Sequence, residues 1–379
     1  MSVRFLTAVS GRAFNMRDRF GREIDYMRIS VIDSCNLNCY YCNPQDNNKK
    51  CQAINILSVK KVLCIVRAAT RLGITHFRLT GGEPLLHPQI DEMVSQIKKI
   101  PGVRSVSLTT NAVLLAQHAK QLKEAGIDSI NVSLDTIDAS EYEHITKKPL
   151  LDKVEHGIDA AIECGIRVKI NVVLTPQTDV VALTRYASKK GTDIRFIEIM
   201  PVGEGHTNGV EPYKKVIGTL SELYGEPYHV NTGKTKEINS GYNKYKDKRK
   251  NPDNGPAEYY IFPELDIRVG LIQAIHGKFC DTCNRIRVTA DGRLMPCLGS
   301  CMTMDLVPDS CEFTGDLEKD FVIVQALKAA IKAKPGCHNF NDNAVTYTKT
   351  TETKTTEIKT TELKAAEVNA ARNMSRIGG

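Results

Sequence analysis

Three cysteines crowd one short loop, Cys35-Asn36-Leu37-Asn38-Cys39-Tyr40-Tyr41-Cys42, directly after an apolar run over 26–32 that reads as a strand. No other stretch limits the fold as strongly, because the strand has to deliver three thiolates to one place. Iron–sulfur clusters are held by closely spaced cysteine thiolates, whereas a closed zinc site takes four ligands. No His or fourth cysteine stands at knuckle spacing, and Cys51 is the nearest, loosely placed alternative. A [4Fe-4S] cube bound by three cysteines keeps one iron open to the amine and carboxylate of a small molecule. A zinc knuckle and three incidental buried cysteines remain the competing readings. The C-x3-C-x2-C spacing favours the cluster.

The motif resembles that of the radical S-adenosylmethionine (SAM) superfamily. The resemblance implies that the open iron chelates SAM and that an electron from the cluster cleaves it to a 5′-deoxyadenosyl radical. It also implies an adenine contact for Tyr41, just before the third cysteine. Gly81-Gly82-Glu83-Pro84, after the apolar stretch 76–79, resembles the superfamily's second signature, which holds the SAM amino group. Alone, that tetrapeptide would be a turn with two glycines. Downstream of the cysteine motif it supports the same reading.

The chain has twelve cysteines in 379 residues. Its first residues lack the apolar core and cleavage site of a secretory signal, so the cysteines argue for metal ligation over a disulfide framework. The expected compartment is the cytoplasm. Hydrophobic content of 41% and charged content of 25% suit a soluble globular protein. No run approaches eighteen apolar residues, so no transmembrane helix is expected. The net charge of +7 suits a polyanionic substrate without demanding nucleic acid; neither nucleic acid nor a membrane is an expected partner.

A strand–helix rhythm runs through the first half. Strands are expected at 26–31, 75–79, 105–109, 129–134, 167–173 and 193–199, and helices at 58–72, 88–99, 114–125, 151–164 and 180–190. Gly73, Gly126, Gly165 and Gly191 follow four of these helices, where a left-handed cap is wanted, and Ser58 suits the N-cap of the first. Strands that read as continuous apolar runs and alternate with helices argue for a parallel sheet covered by helices. Six such units make an incomplete (β/α)6 barrel, two short of the closed eightfold form. Polar residues recur at the C-terminal ends of these strands: Cys35, Gly81, Thr109-Thr110-Asn111, Ser133 with Asp135, Asn171, and 198–203. Ligands gather at that end of such barrels, so six in register read as a site. Residues 1–25 form an arm expected to pack over the first strand. The barrel core takes 26–230, a basic surface loop 231–256, a C-terminal second-cluster and substrate domain 257–340, and a low-complexity tether with its tail 341–379.

A second constellation begins at His276. Cys280-Asp281-Thr282-Cys283 and Cys297 flank a hairpin turn at Asp291-Gly292, which would bring three thiolates together. Cys301 would supply the fourth ligand of a zinc ribbon, and spacing alone leaves zinc and a second iron–sulfur cluster open. At this point the resemblance narrows. FC-x2-CNR-x-R-x-TADG-x-L-x-PCL over 279–298 resembles the second cluster motif of the GTP 3′,8-cyclase family (molybdenum cofactor biosynthesis protein A). R-x-TGGEP, TTN, NVSLD, RFIE-x-MPVGEG and the closing Gly378-Gly379 follow the family's order.

The resemblance implies two [4Fe-4S] clusters at opposite ends of one barrel cavity, the C-terminal domain closing the barrel. Cys35, Cys39 and Cys42 would hold the cluster that binds SAM, and Cys280, Cys283 and Cys297 the one that binds guanine. The family's SAM contacts map onto Tyr41, Gly82, Ser133 and Met200. Its GTP contacts map onto Arg28, Arg78, Thr109, Lys169 and Arg285-Ile286-Arg287, with Arg285 and Arg287 also counted as catalytic. Guanidinium groups form paired, charge-assisted bonds to phosphate oxygens. Arg28 and Lys169 fall inside strands, where a charge is costly unless paired; singly, each reads equally well as an internal salt bridge.

Three features depart from the family pattern. Cys301 would close the open iron if it ligated, His76 stands where relatives carry a basic residue, and 349–368 repeats K-T-T-E-x. A five-residue period makes the apolar positions spiral around a helix, so this repeat reads as a tether. The implied activity is conversion of GTP to (8S)-3′,8-cyclo-7,8-dihydroguanosine 5′-triphosphate in molybdenum cofactor biosynthesis. Implied partners are a reducing electron donor and a downstream cyclic pyranopterin monophosphate synthase; a homodimer is compatible with the sequence. A radical SAM peptide maturase with an auxiliary cluster is the second reading, and a non-enzymatic zinc-binding scaffold the third.

Overall fold

The computed structural model describes residues 16–42, 54–200, 210–230, 255–300, 302–306 and 317–338, with backbone alone over 317–320. Cys301, 231–254, the repeat and Gly378-Gly379 lie outside these residues. The first half follows the expected rhythm: β1 (Tyr26–Ser30), α1 (Val59–Thr70), β2 (His76–Thr80), α2 (Ile90–Lys98), β3 (Ser105–Thr110), α3 (Leu115–Glu124), β4 (Ser129–Ser133), α4 (Ala139–Thr146), α5 (Leu151–Glu163), β5 (Val168–Leu174), α6 (Val180–Lys189) and β6 (Asp193–Glu198). The second half adds α7 (Thr219–Tyr224), β7 (Tyr228–Val230), β8 (Glu258–Ile261), β9 (Arg268–Ile272), β10 (Arg285–Val288), β11 (Arg293–Met295), β12 (Met304–Asp305) and α8 (Leu317–Ala333).

Local chemistry explains most boundaries. Ser58 Oγ accepts from the Lys61 amide at 3.3 Å and starts α1. The four expected cap glycines all take positive φ, between 64° and 86°, which only glycine adopts without steric cost. Helix α4 escaped the sequence reading because it is short and polar. Asp138 caps it through the Glu141 amide at 2.8 Å, and Lys147, not glycine, takes the left-handed position at its end.

All the strands join one sheet, in the order β12-β11-β10-β1-β2-β3-β4-β5-β6-β9-β8-β7. The six expected strands are parallel neighbours, and β9 and β10 extend them in parallel on either side, beside β6 and β1. The barrel is therefore open, and the second half of the chain supplies two of its eight parallel strands. No helix among the described residues is long and apolar enough to cross a membrane.

One expectation needs correction. The strands are not continuous apolar runs but alternate, because successive side chains point to opposite faces. Met27 and Ile29, Phe77 and Leu79, Val106 and Leu108, and Ile130 and Val132 pack into the helix-covered core. The intervening positions carry Arg28, Arg78, Ser107, Thr109, Asn131, Lys169, Asn171 and Arg195. These polar and cationic groups face inward, where a packed barrel would place branched apolar residues.

The described part of the arm, 16–25, reaches residues distant in the chain. Arg22, paired in the interior with Asp18, reaches the carbonyls of Cys280 (2.7 Å), Gly336 (3.0 Å) and Pro335 (2.6 Å). It thereby ties the chain's beginning to the second cysteine segment and to the residues after α8.

Candidate active site

Register places the two cysteine groups at opposite ends of the barrel. Cys35 follows the C-terminal end of β1. Arg285 opens β10 opposite Tyr26, the first residue of β1, so Cys280 and Cys283 precede the strand at the other end. Antiparallel β11 pairs Met295 with Arg287, which returns Cys297 to that same end. A cavity of about 300 Å³ runs between them, and all six cysteines line it.

The first group is seated by the Gly-Gly-Glu segment. The Gly82 amide donates to Ile32 O at 2.7 Å and the Glu83 amide to Ser34 O at 2.8 Å, immediately before Cys35. A Cβ on Gly82 would stand 2.2 Å from Ser34 O, and one on Gly81 2.4 Å from Ile32 O. Both glycines are therefore required by close backbone approach. Glu83 accepts from the Leu85 amide (3.0 Å), the Thr110 hydroxyl (2.6 Å) and the Asn111 amide (2.7 Å). Burial nevertheless pushes its carboxyl up to about 7. Asn111 Nδ2 reaches Asn36 Oδ1 at 2.7 Å and Cys35 Sγ at 3.8 Å, so the TTN segment braces the loop from the side. Tyr41 donates its hydroxyl to Asp135, whose other oxygen accepts from the Val173 amide at 2.7 Å. Burial pushes the Cys42 thiol up to about 12.

The wall towards the second group is cationic. Arg28 stands between Arg78 and Arg287 in the register of three adjacent parallel strands. Burial, with Arg287 beside it, holds the Arg28 guanidinium well below its ordinary value; burial, with Arg285 beside it, brings Arg287 down to about 10. Lys169 is fully buried, and desolvation followed by repulsion from Arg195 and Arg167 lowers it to about 5. Among the described residues this wall gathers several cations that repel one another, and a polyanion would relieve that repulsion. Buried Arg268 is compensated, pairing with Asp193 on the neighbouring strand.

Cys283 differs from the first three thiols. Burial alone would raise it, but Arg285 and then Lys334 draw it down to about 6. Lys334, 2% exposed, donates to the carbonyls of Arg285 (2.8 Å) and Pro296 (2.9 Å). His338 bonds Ala274 O at 2.7 Å. Across the cavity, Glu198 accepts from the amides of Ile275 (2.7 Å) and His276 (3.2 Å) and pairs with the His276 ring, anchoring the root of the cysteine loop.

Of the residues named from the sequence, Tyr41, Gly82, Ser133, Met200, Arg28, Thr109, Arg285 and Arg287 line the cavity with the six cysteines. Arg78, Lys169 and Ile286 do not. Arg78 is held aside by Ser107 Oγ at 3.1 Å and by the Tyr26 ring. Lys169 is buried on the inward face, while Ile286 packs its side chain into the outer core. His76 stacks on Tyr26 and bonds Thr75 Oγ1 at 2.9 Å. Sequence reasoning missed Arg22, Lys334 and His338. The Lys-Pro-Gly break after an amphipathic stretch was the available signal for the last two.

The cysteines suit clusters by donor type and by the wall they share. Among the described residues, no three His, Cys, Asp or Glu side chains converge as the ligands of one metal ion do. A cube presents its irons at separate corners and asks for no such convergence. The glycine cradle at Ser34 fits the first group to a loop held at fixed depth.

Comparisons with known proteins agree with this arrangement. The radical SAM superfamily model matches residues 29–183, and the family described as Molybdenum Cofactor Synthesis C matches 192–340. A GTP 3′,8-cyclase of Clostridium perfringens (strain SM101 / Type A) is 35% identical over 330 residues, covering 86% of this chain and 95% of that one. The enzyme of the same name from Clostridium acetobutylicum is 36% identical over 347 residues, 88% of this chain and 98% of that one. In fold, Streptococcus suis SuiB bound to precursor peptide SuiA superposes with a TM-score of 0.54 at 15% identity, over 81% of this chain and 67% of that one. Cysteine groups, glycine cradle and cationic wall thus occur in a chain that matches these cyclases almost end to end, and it belongs to the GTP 3′,8-cyclase family of the radical SAM superfamily.

Proposed function

We propose that this chain converts GTP to (8S)-3′,8-cyclo-7,8-dihydroguanosine 5′-triphosphate in molybdenum cofactor biosynthesis. The observation that carries the reading is a single cavity with a cysteine triad at each end and buried arginines between them. Membership of the radical SAM superfamily brings with it a [4Fe-4S] cluster and SAM, which supply a 5′-deoxyadenosyl radical able to take hydrogen from ribose C3′. Cys35, Cys39 and Cys42 are the thiolates for that cluster, with Tyr41, Gly82, Ser133 and Met200 around SAM. Cys280, Cys283 and Cys297 would hold a second [4Fe-4S] cluster at the end of the cavity assigned to the guanine. Arg28, Arg285 and Arg287 line the cavity and neutralise the triphosphate, with Arg78 behind them and Lys169 adding charge only by taking up a proton as the nucleotide binds; Thr109 and the Ile286 backbone complete its surroundings.

The protein's own part is positioning and the exclusion of water. Guanidinium groups already desolvated before substrate arrives bind phosphate without further dehydration cost. An external one-electron donor and a downstream enzyme that consumes the cyclised nucleotide complete the chemistry. The peptide-maturase reading draws on fold likeness alone, at 15% identity to SuiB, and is the weaker one. Anaerobically prepared protein should carry about eight irons and form 5′-deoxyadenosine and cyclised nucleotide from SAM and GTP under reduction. Zinc in place of iron, or no GTP-dependent product, overturns the reading.

A further inference from the structure

The segment after α8 is laced to the second cysteine group by side chains that the cyclase reading leaves unused. Lys334, the residue that follows α8, is 2% exposed and lines the cavity together with Cys283 and Cys297. A lysine in that place ordinarily serves the last carbonyls of its own helix. Its ammonium instead donates to Arg285 O at 2.8 Å and Pro296 O at 2.9 Å. Arg285 stands two residues after Cys283, and Pro296 immediately precedes Cys297. One ammonium therefore ties together the two segments that carry these thiols. Arg22 makes the matching tie for Cys280, joining its carbonyl to those of Pro335 and Gly336.

A buried ammonium is costly unless negative charge offsets it. The oxygens bonded to Lys334 belong to neutral carbonyls, which supply only partial charge. Of its three N–H donors two are used there, and the thiol beside it is Cys283, which Arg285 and Lys334 draw down. Arg285 is half-buried in the cavity and faces the substrate, whereas Lys334 is anchored to backbone. Cluster thiolates would supply the missing negative charge, and hydrogen bonds to the sulfurs and local charge set the potential of such a cluster. We infer that Lys334 is the positioning residue of the second cysteine group: it holds Cys283 and Cys297 in place and keeps a positive charge against their cluster, favouring its reduced form. Reduction adds one electron, so a fixed cation beside the sulfurs favours it. The inference rests on the two-cluster form of the cyclase reading and adds a residue that acts through the cluster's sulfurs.

The test uses anaerobically prepared holoprotein, iron analysis, and redox titration followed by electron paramagnetic resonance. The signal that GTP changes belongs to the second cluster, and the one that SAM changes to the first. Lys334→Gln keeps a donor for the carbonyls but no charge. It should retain about eight irons, while the reduced-to-oxidised ratio of the second cluster at a given potential falls about ten- to a hundredfold, about 59–118 mV for one electron. Lys334→Arg keeps the charge and should titrate close to the parent, and the first cluster's midpoint should move in neither variant. Loss of second-cluster iron from Lys334→Gln that Lys334→Arg restores would show the same dependence on charge. A parental second-cluster midpoint in Lys334→Gln, equal shifts of both clusters, or equal iron loss from both variants would each overturn the inference. Only about four irons in the parent would instead sink the two-cluster reading, so the two failures are distinguishable.

Discussion

Gly82→Ala tests the claim that the Gly-Gly-Glu segment fixes the depth of the first cysteine loop. The new methyl carbon would sit 2.2 Å from Ser34 O, 2.5 Å from Ser34 C and 2.7 Å from Asp33 O, all backbone atoms that no rotamer change can move aside. Separations under 3.0 Å essentially do not occur, so residues 33–34 must retreat by roughly 0.8 Å or more, an overpacking cost of about 1–3 kcal/mol. That retreat stretches the Gly82–Ile32 and Glu83–Ser34 hydrogen bonds, each worth about 0.5–1.5 kcal/mol. A local cost of about 2–6 kcal/mol falls on the residue beside Cys35. The expected result is loss of about four irons of eight and of 5′-deoxyadenosine formation, read by iron analysis and by product assay. Gly191→Ala is the control: its φ is 64° but nothing lies within 4 Å of the added carbon. It should cost about 1–2 kcal/mol of stability and no iron. A Gly82→Ala protein with parental iron and parental SAM cleavage would refute the reasoning.

Cys39→Ala should abolish reductive SAM cleavage and leave the iron bound at Cys280, Cys283 and Cys297; 5′-deoxyadenosine at the parental rate would exclude Cys39 as a ligand. Arg287→Ala should weaken GTP binding about ten- to a hundredfold while uncoupled SAM cleavage continues, and the ligand-free protein, relieved of one cation from a buried cluster, should not melt lower. Lys169, lowered from 10.5 to about 5 in the folded state, binds fewer protons there than when unfolded across that window, so its burial costs most at low pH and least at high pH. Lys169→Met should therefore be more stable than the parent at pH 6, with the advantage shrinking by about 1.4 kcal/mol per pH unit towards pH 9. A pH-independent difference in denaturation midpoint would show that the lysine is charged in the fold. Calorimetry of GTP binding at pH 7 in buffers of different ionisation enthalpy should show proton uptake by the parent, and less by Lys169→Met.

The elements legible in advance were those set by neighbours in the chain. Ser58, the four cap glycines and the helix periodicity are local steric and hydrogen-bonding matters, and they held in the fold. The cysteine spacings and the Gly-Gly-Glu-Pro turn were equally local, so the first triad and its cradle could be named without coordinates. Tertiary structure decided what depended on pairings between distant segments. Burial on both faces concealed the alternation of the strands until register showed Arg28 and Arg287 as neighbours more than two hundred residues apart. Arg22 and Lys334 bind backbone carbonyls of Cys280, Arg285 and Pro296. Every residue carries such a carbonyl, so no sequence pattern announces those contacts. Likewise, the polar content of Asn131 was visible in NVSLD, but the bare state of its oxygen exists only once β4 lies between β3 and β5. The sequence determines which groups are available, and only the packing of the open barrel determines which of them are brought together.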